Sequence, residues 1–295
     1  MRDIRHPMLI IEPRPDVEYS LVACLPLGLF KLIKYYRIDT LECVQVCRHY
    51  KEHLDKASNM PQTIKISLST TLFKSDPTLP LSTTWFNPEF WQSQQALAGT
   101  GSGRGAVWFV NSQFGQFVIR RYRRGGFVAK FNKSRFLFTG VELTRPWLEL
   151  NLLEKMRDLS LPVPKPIGGL LTVKYGYYEA ELLTETIKDA EDLFDIIKSN
   201  RSDQIDWKEI GKVIKRFHDN GIYHSDLNCH NIMIDNQHKV WVIDFDKCEQ
   251  RKPDHEWMLS NIDRLKRSIA KESNKYSNFH VSEKQWQAFL EGYHG

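Results

Sequence analysis

No apolar run in the 295 residues reaches the roughly 20 residues that a membrane-spanning helix needs. The nearest approach, Leu21–Phe30, holds Pro26 and is closed by Lys31. It follows no basic start with a small-residue cleavage site, so neither a spanning helix nor a signal peptide is expected. Cysteine is sparse: five in all, with Cys43 and Cys47 the only close pair and no second pair to complete a zinc pattern. Reduced thiols are therefore expected, not a disulfide framework. Internal repeats and low-complexity tracts are missing as well, which excludes solenoid architectures. The net charge of +5 is modest for this length and admits anionic partners without demanding nucleic acid. With 41% apolar residues the chain can build a good core, and two lobes suit its length.

What the sequence does carry is concentrated in one run, His224-Ser-Asp226-Leu-Asn-Cys-His-Asn231, followed by Asp244-Phe-Asp246. Asp226 and Asn231 stand five positions apart, and Asp244 lies thirteen further on, at the end of the apolar run Val240-Trp-Val-Ile243. A loop presenting an acid and an amide, then a hairpin ending in a second acid, lets three side chains converge on one nucleotide. The spacing matches the catalytic loop and metal-binding Asp of the protein-kinase fold. Asp226 is the candidate base, because a carboxylate within reach of a hydroxyl can take its proton as the bond to phosphorus forms. Asn231 and Asp244 offer a neutral and a charged oxygen, both hard ligands suited to Mg2+. His224 is read as a brace for the loop backbone and Cys229 as a packing residue. A lone His-x-Asp is common in turns; the hairpin and second Asp at this separation are what lift it above chance.

Upstream, Gly99-Thr-Gly101-Ser-Gly103-Arg-Gly105 runs into an apolar strand. Backbone without Cβ atoms can approach phosphate closely, so Gly101, Gly103 and Gly105 are candidates to cover a nucleotide, although such a segment can equally be a linker or hairpin. Strands are expected over 106–111 and 116–122, and the second carries Val118-Ile-Arg120 where kinases usually place Val/Ala-x-Lys. Arg keeps the charge, with different reach and geometry. Arg121 should face the opposite side of that strand. Arg120 needs an acidic partner, and the helical stretch Arg145–Met156 supplies Glu149 and Glu154. Leu148, Leu152 and Met156 define one face; Glu149 borders it and is preferred, with Glu154 read as an exposed charge. A strand over 175–181 should lead into Glu181-Leu-Leu-Thr-Glu185 as the segment joining two lobes, with Glu185 and Ile187 as adenine-site candidates. Helices are expected over 190–197, 207–218 and 259–270, with Ile214 and Phe217 in the core.

These residues resemble the lipopolysaccharide kinase family, its 3-deoxy-D-manno-octulosonic acid (Kdo) kinases in particular. The resemblance rests on Phe86-Asn-Pro-Glu-Phe-Trp91, Gly103-Arg-Gly105, Val118-Ile-Arg-Arg-Tyr-Arg-Arg-Gly-Gly126 and Leu161-Pro-Val-Pro-Lys-Pro166. It continues through Leu183-Thr-Glu185-Thr-Ile187, the run from His224 to Asn231, and Val242-Ile-Asp-Phe-Asp246. It implies an α+β, protein-kinase-like fold of two lobes, a small antiparallel sheet followed by a reduced helical lobe. The implied activity is transfer of the ATP γ-phosphate to the 4-OH of a Kdo sugar on a lipid A precursor, at the cytoplasmic face of the inner membrane. An appendage is expected over 1–65 and a catalytic domain over 66–295, with lobes at about 84–182 and 188–295. The appendage is read either as a membrane-surface helix around Leu27–Tyr36 or as translation from an upstream start.

Absences also narrow the acceptor. No Ala-Pro-Glu follows Asp244, fewer than fifty residues remain after Asp246, and Asp246 stands where Gly is usual. A compact second lobe favours a small or lipid-linked acceptor over a protein. Arg120, Arg121, Arg123, Arg124, Lys130, Lys133 and Arg135 crowd a stretch without an acid. This reads either as a solvated face or, preferred here, as attraction for an acidic sugar-lipid or an anionic membrane surface. Neither nucleic acid nor an obligate protein partner is expected. The alternatives are a heptose kinase of the same family, an atypical protein kinase, or a silent kinase-like module, the last favoured by Arg120 and the missing Gly and opposed by the intact Asp226, Asn231 and Asp244.

Overall fold

Alternating burial along short strands builds the first half of the protein. The computed structural model describes residues 60–101, 106–123 and 134–295. Its strands β1 (Gln62–Lys65), β2 (Thr70–Lys74), β3 (Leu97–Thr100), β4 (Ala106–Ser112), β5 (Gly115–Arg121), β6 (Phe136–Leu137), β7 (Pro166–Lys174) and β8 (Tyr177–Glu185) form one antiparallel sheet. The spatial order is β1-β2-β7-β8-β5-β4-β3, with β6 also paired to β8. Successive residues point to opposite faces, so Leu72 and Leu183 enter one buried cluster with Trp85, Trp91 and Phe117, while Phe73 and Leu182 enter another. Because β8 is buried on both faces, it reads as the unbroken run Ala180–Leu183.

Two helices pack on this sheet. In α1 (Pro88–Ser93) the Asn87 side chain accepts the Glu89 N–H at 3.0 Å, Pro88 fits the first turn, and the Trp91 indole donates to Trp85 O at 2.7 Å. The residues Phe86–Trp91 thus form a capped, aromatic corner. Helix α2 (Arg145–Asp158) buries Leu150, Leu153 and Met156 in the cluster that holds Phe73 and Leu182.

The second lobe follows with β9 (Ala190–Asp192), α3 (Leu193–Lys198), α4 (Trp207–Asp219), β10 (Ile222–Tyr223), the β11 (Ile232–Asp235) and β12 (Val240–Val242) hairpin, β13 (Glu249–Gln250), α5 (His255–Ser273) and α6 (Glu283–His294). Side chains of Asp192, Asp206, Asp254 and Ser282 cap the starts of α3 to α6. Ile214 and Phe217 are buried, as expected, and α4 crosses α6 so closely that glycine is required on both, at Gly211 and Gly292.

Four boundaries differ from the sequence expectation. The helix expected over 190–197 begins only at Leu193, because Ala190–Asp192 pair with β11 as a strand and Asp192 caps the helix. The sheet starts at Gln62, upstream of both the expected domain start at 66 and the lobe start near 84. Strand β8 runs to Glu185, because Tyr175-Gly176 forms the β7–β8 turn, with φ of 52° and 75°. Helix α5 is longer than 259–270 at both ends. The expectations for 1–59, including the Leu27–Tyr36 helix and the Cys43 and Cys47 thiols, lie outside the described residues, as do those for Gly103, Gly105, Arg124, Lys130 and Lys133.

His218, at the end of α4, is buried with its Nδ1 2.7 Å from the Tyr293 hydroxyl of α6. Burial drives its pKa down to about 4, against the pull of Asn261 and Asp219. A histidine depressed in the folded state contributes stability above its unfolded pKa of about 6.5, and that contribution drains away as pH falls toward 4. The loss amounts to about 3 kcal/mol over that window. Urea unfolding from pH 8 to 4 should show it, and His218→Phe should flatten that part of the profile; parallel profiles would refute the assignment.

Candidate active site

Helix α4 delivers the chain to the catalytic loop through Gly221, whose φ is +73° and where a Cβ would lie 2.1 Å from Arg251 O. The loop is then fastened at several points. His224 Nε2–H donates to Ile243 O at 3.0 Å and its Nδ1 accepts the Asp226 N–H at 3.2 Å, an arrangement that fixes one neutral tautomer. Burial lowers the His224 pKa and keeps it in that state. His224 is therefore a brace. The Asn231 amide nitrogen donates to Asp226 O at 2.9 Å, leaving its oxygen for other work, and Ile243 N–H donates to Asn231 O at 3.0 Å. Asp226, Asn231 and Asp244 are thereby brought into one cluster, with Asp244 held at a left-handed φ of +62°.

Across the cleft, Arg120 on β5 connects the sheet, α2 and this loop. Its Nη2 lies 2.6 Å from both oxygens of Glu149, and its Nη1 donates to Asp244 Oδ1 at 3.0 Å. The guanidinium also sits 4.7 Å from the Tyr122 ring centre, and the Tyr122 hydroxyl donates to Glu149 Oε2 at 2.8 Å. Burial pushes the Glu149 carboxyl up, Arg120 pulls it down, and Asp244 and Asp246 add to the rise. Burial works against the charge of Arg120 too, but Glu149 and Asp244 hold its pKa well above the ordinary value. The alternation of the strand sends Arg121 the other way, to Glu181 at 2.8 Å. The same cation thus holds an acid on α2 and the candidate metal ligand of the loop.

Asp246, in the place of the usual Gly, accepts from Arg145 Nη1 at 2.9 Å while its Oδ1 is buried without a partner among the described residues. Arg145 is the first residue of α2, so Asp246 ties the start of the Glu149 helix to the catalytic loop, near the positive end of its dipole.

Several expectations need correction. Leu148 is exposed, because α2 turns Glu149 inward to meet Arg120; Glu154 is half-buried instead of solvated. Glu181 and its neighbours lie within β8, so the connection between lobes begins at Thr186. The amides of Glu185 and Thr186 donate to Lys165 O and Gln116 O at 2.8 and 2.9 Å. Glu185 therefore has no free N–H for a base, whereas Ile187 has no backbone partner among the described residues. The basic stretch is not simply a solvated face: Arg120, Arg121 and Arg135 pair with Glu149, Glu181 and Glu179. Gly101 closes the β3–β4 ladder through its N–H to Val107 O at 3.0 Å, and a Cβ there would press on Val107 at 3.2 Å. Cys229 is buried and its thiol is pushed up to about 11 by burial, in keeping with a packing role.

Helix α5 supplies residues that sequence reasoning passed over. Asn261 Oδ1 accepts the His224 N–H at 3.2 Å, Ser268 Oγ accepts the Cys229 N–H at 3.1 Å, and between them Arg264 binds the Asp226 carboxylate. The spacing 261, 264, 268 places polar groups on one flank of a helix whose Ile262, Leu265 and Ile269 are core. That interruption of an apolar pattern was the available signal.

The model of the lipopolysaccharide kinase (Kdo/WaaP) family matches residues 88–293. The chain belongs to that family. Within the lipopolysaccharide kinase family it is 42% identical over 229 residues to the 3-deoxy-D-manno-octulosonic acid kinase of Mannheimia succiniciproducens, covering 75% of this chain and 95% of that one. It is 38% identical over 231 residues to the protein of that name from Haemophilus influenzae, covering 76% and 95%. The Vibrio vulnificus relative of the same name is 40% identical over 219 residues, covering 74% and 90%. All the cluster residues described above fall within the lipopolysaccharide kinase match.

Proposed function

We propose that the protein transfers the γ-phosphate of ATP to a hydroxyl, the 4-OH, of a Kdo sugar on a lipid A precursor. What supports this is the chain of hydrogen bonds that links the loop of Asp226, Asn231 and Asp244 to the Arg120–Glu149 pair, in a chain whose family relatives bear the name of Kdo kinases. Asp226 accepts the proton of the attacking hydroxyl. Arg120, fixed by Glu149, supplies fixed positive charge beside the phosphates. Gly101, with Gly103 and Gly105, covers them, and Ile187 reads the adenine through its backbone.

Among the described residues no three His, Cys, Asp or Glu side chains gather as a metal site by themselves. The donors present nevertheless fit Mg2+, which takes one or two protein oxygens and completes its shell with phosphate and water. Among the described residues Asp244 has one oxygen outside the Arg120 contact and the Asn231 amide oxygen has no donor. A bound Mg2+ would neutralise phosphate charge. Asp244 would offer its other oxygen while Arg120 keeps both of its acidic partners.

No helix among the described residues is long and apolar enough to cross a membrane. On this reading the lipid-linked acceptor brings the enzyme to the cytoplasmic face of the inner membrane, with exposed cations such as Arg123 toward anionic lipid. Radiolabelled ATP offered with Kdo-lipid A precursor, heptosylated core or a generic protein substrate should label the first alone. Label on the heptosylated core or the protein in its place would overturn the reading.

A further inference from the structure

The candidate base is not free: Asp226 Oδ1 accepts two N–H groups of Arg264, Nε at 3.0 Å and Nη2 closer still. Both side chains are about half exposed, 46% and 52%, so the pair is open to solvent and within reach of an arriving acceptor. Exposed pairs contribute little to stability, so folding gives no reason for this one. The pair does bear on the chemistry, since it sets a positive charge and two donors on Oδ1 of the candidate base and leaves only Oδ2 open to an incoming hydroxyl. Opening the pair would give the acceptor both oxygens of Asp226, and an anionic group arriving with it could take the guanidinium in exchange. The backbone of Arg264 is fixed by its neighbours, with Asn261 and Ser268 tied to the loop and Leu265 buried. Only the side chain can move. Arg267 and Lys271, exposed on the same flank and three and seven positions on, add positive charge around the opening. A guanidinium fork matches a planar carboxylate through two parallel bonds, and here it grips only one oxygen of Asp226.

We propose that Arg264 is the binding residue for the carboxylate of an acidic sugar acceptor. As the sugar enters, the guanidinium passes from Asp226 to the sugar's carboxylate. One ion pair replaces another, charge is conserved, and a freed Asp226 faces the hydroxyl that the captured carboxylate positions. A neutral sugar would leave Arg264 on the base, so the exchange selects acids. This rests on the Kdo reading above and deepens it.

Steady-state kinetics with a soluble Kdo glycoside and its methyl ester, which lacks the negative charge, tests the proposal on the full chain. The wild-type protein should use the acid about 10- to 100-fold better in kcat/KM, the range that a charged hydrogen-bond pair supports. Arg264→Ala should lose that factor on the acid, leave KM for ATP within about twofold of wild type, and bring the acid-to-ester ratio close to one. Arg264→Lys, which keeps charge but loses the fork, should fall between, and its ratio decides the matter if the Ala variant is too slow to measure. A variant that keeps the wild-type ratio overturns the role of Arg264 while leaving the Kdo reading intact. A wild-type protein that ignores both glycosides yet labels a different acceptor removes both.

Discussion

Asp226→Asn is expected to lower turnover by about 10²- to 10⁴-fold, the range a positioned general base contributes. The amide keeps the size of the carboxylate but cannot take a proton. Asp226 is half exposed, and its side chain bonds only Arg264 among the described residues. The loop itself hangs on its backbone N–H to His224 and its carbonyl to Asn231, both of which survive the change. The melting temperature should therefore stay close to that of the parent, and binding of Mg2+-ATP, followed by calorimetry, should persist. Loss of turnover with binding intact isolates the chemical step. Unimpaired turnover would remove Asp226 from the mechanism.

The second large effect is expected far from the chemistry. A Cβ on Gly292 would stand 1.9 Å from Lys208 O, and one on Gly211 would stand 2.1 Å from Phe289 O. Backbone packs directly on backbone where α4 crosses α6, and neither side has a flexible atom to yield. Gly292→Ala must push the helices apart and loosen a cluster that includes Ile210, Ile214, Trp286 and Phe289. Overpacking of this kind costs about 3 kcal/mol. The gain in helix propensity from Gly to Ala, about 1 kcal/mol, offsets only part of it. Urea unfolding should show a clear drop in midpoint, and a midpoint equal to the parent's would mean that the crossing relaxes at no cost.

The candidate cluster of Asp226, Asn231 and Asp244 was legible because its spacing is local. A loop, a two-stranded hairpin and the acid that ends it occupy fewer than twenty-five residues, and their geometry follows from chain stiffness more than from distant contacts. Arg120 was legible for a related reason, since strand alternation separates it from Arg121 without further information. The face of α2 was harder. Its orientation is set by an ion pair from β5, so an apolar count favoured Leu148 where the structure buries Glu149. The end of β8 was hidden because burial on both faces removes the alternation that marks a strand. Strands β1 and β2 passed unnoticed because they are short and carry no motif, and only pairing with β7 gives them a place. Arg264 lies 38 positions beyond Asp226, and no local pattern joins residues that far apart.

The mutual support of α4, α5 and α6 sets an order on biosynthesis. Helix α4 feeds the chain into the catalytic loop, yet it finds its seat only against Gly292, and the loop is pinned by α5, which emerges from the ribosome after it. The nascent enzyme is therefore inert until α6 has joined the fold, and an early stop before α6 that spares every candidate catalytic side chain would still leave them unassembled.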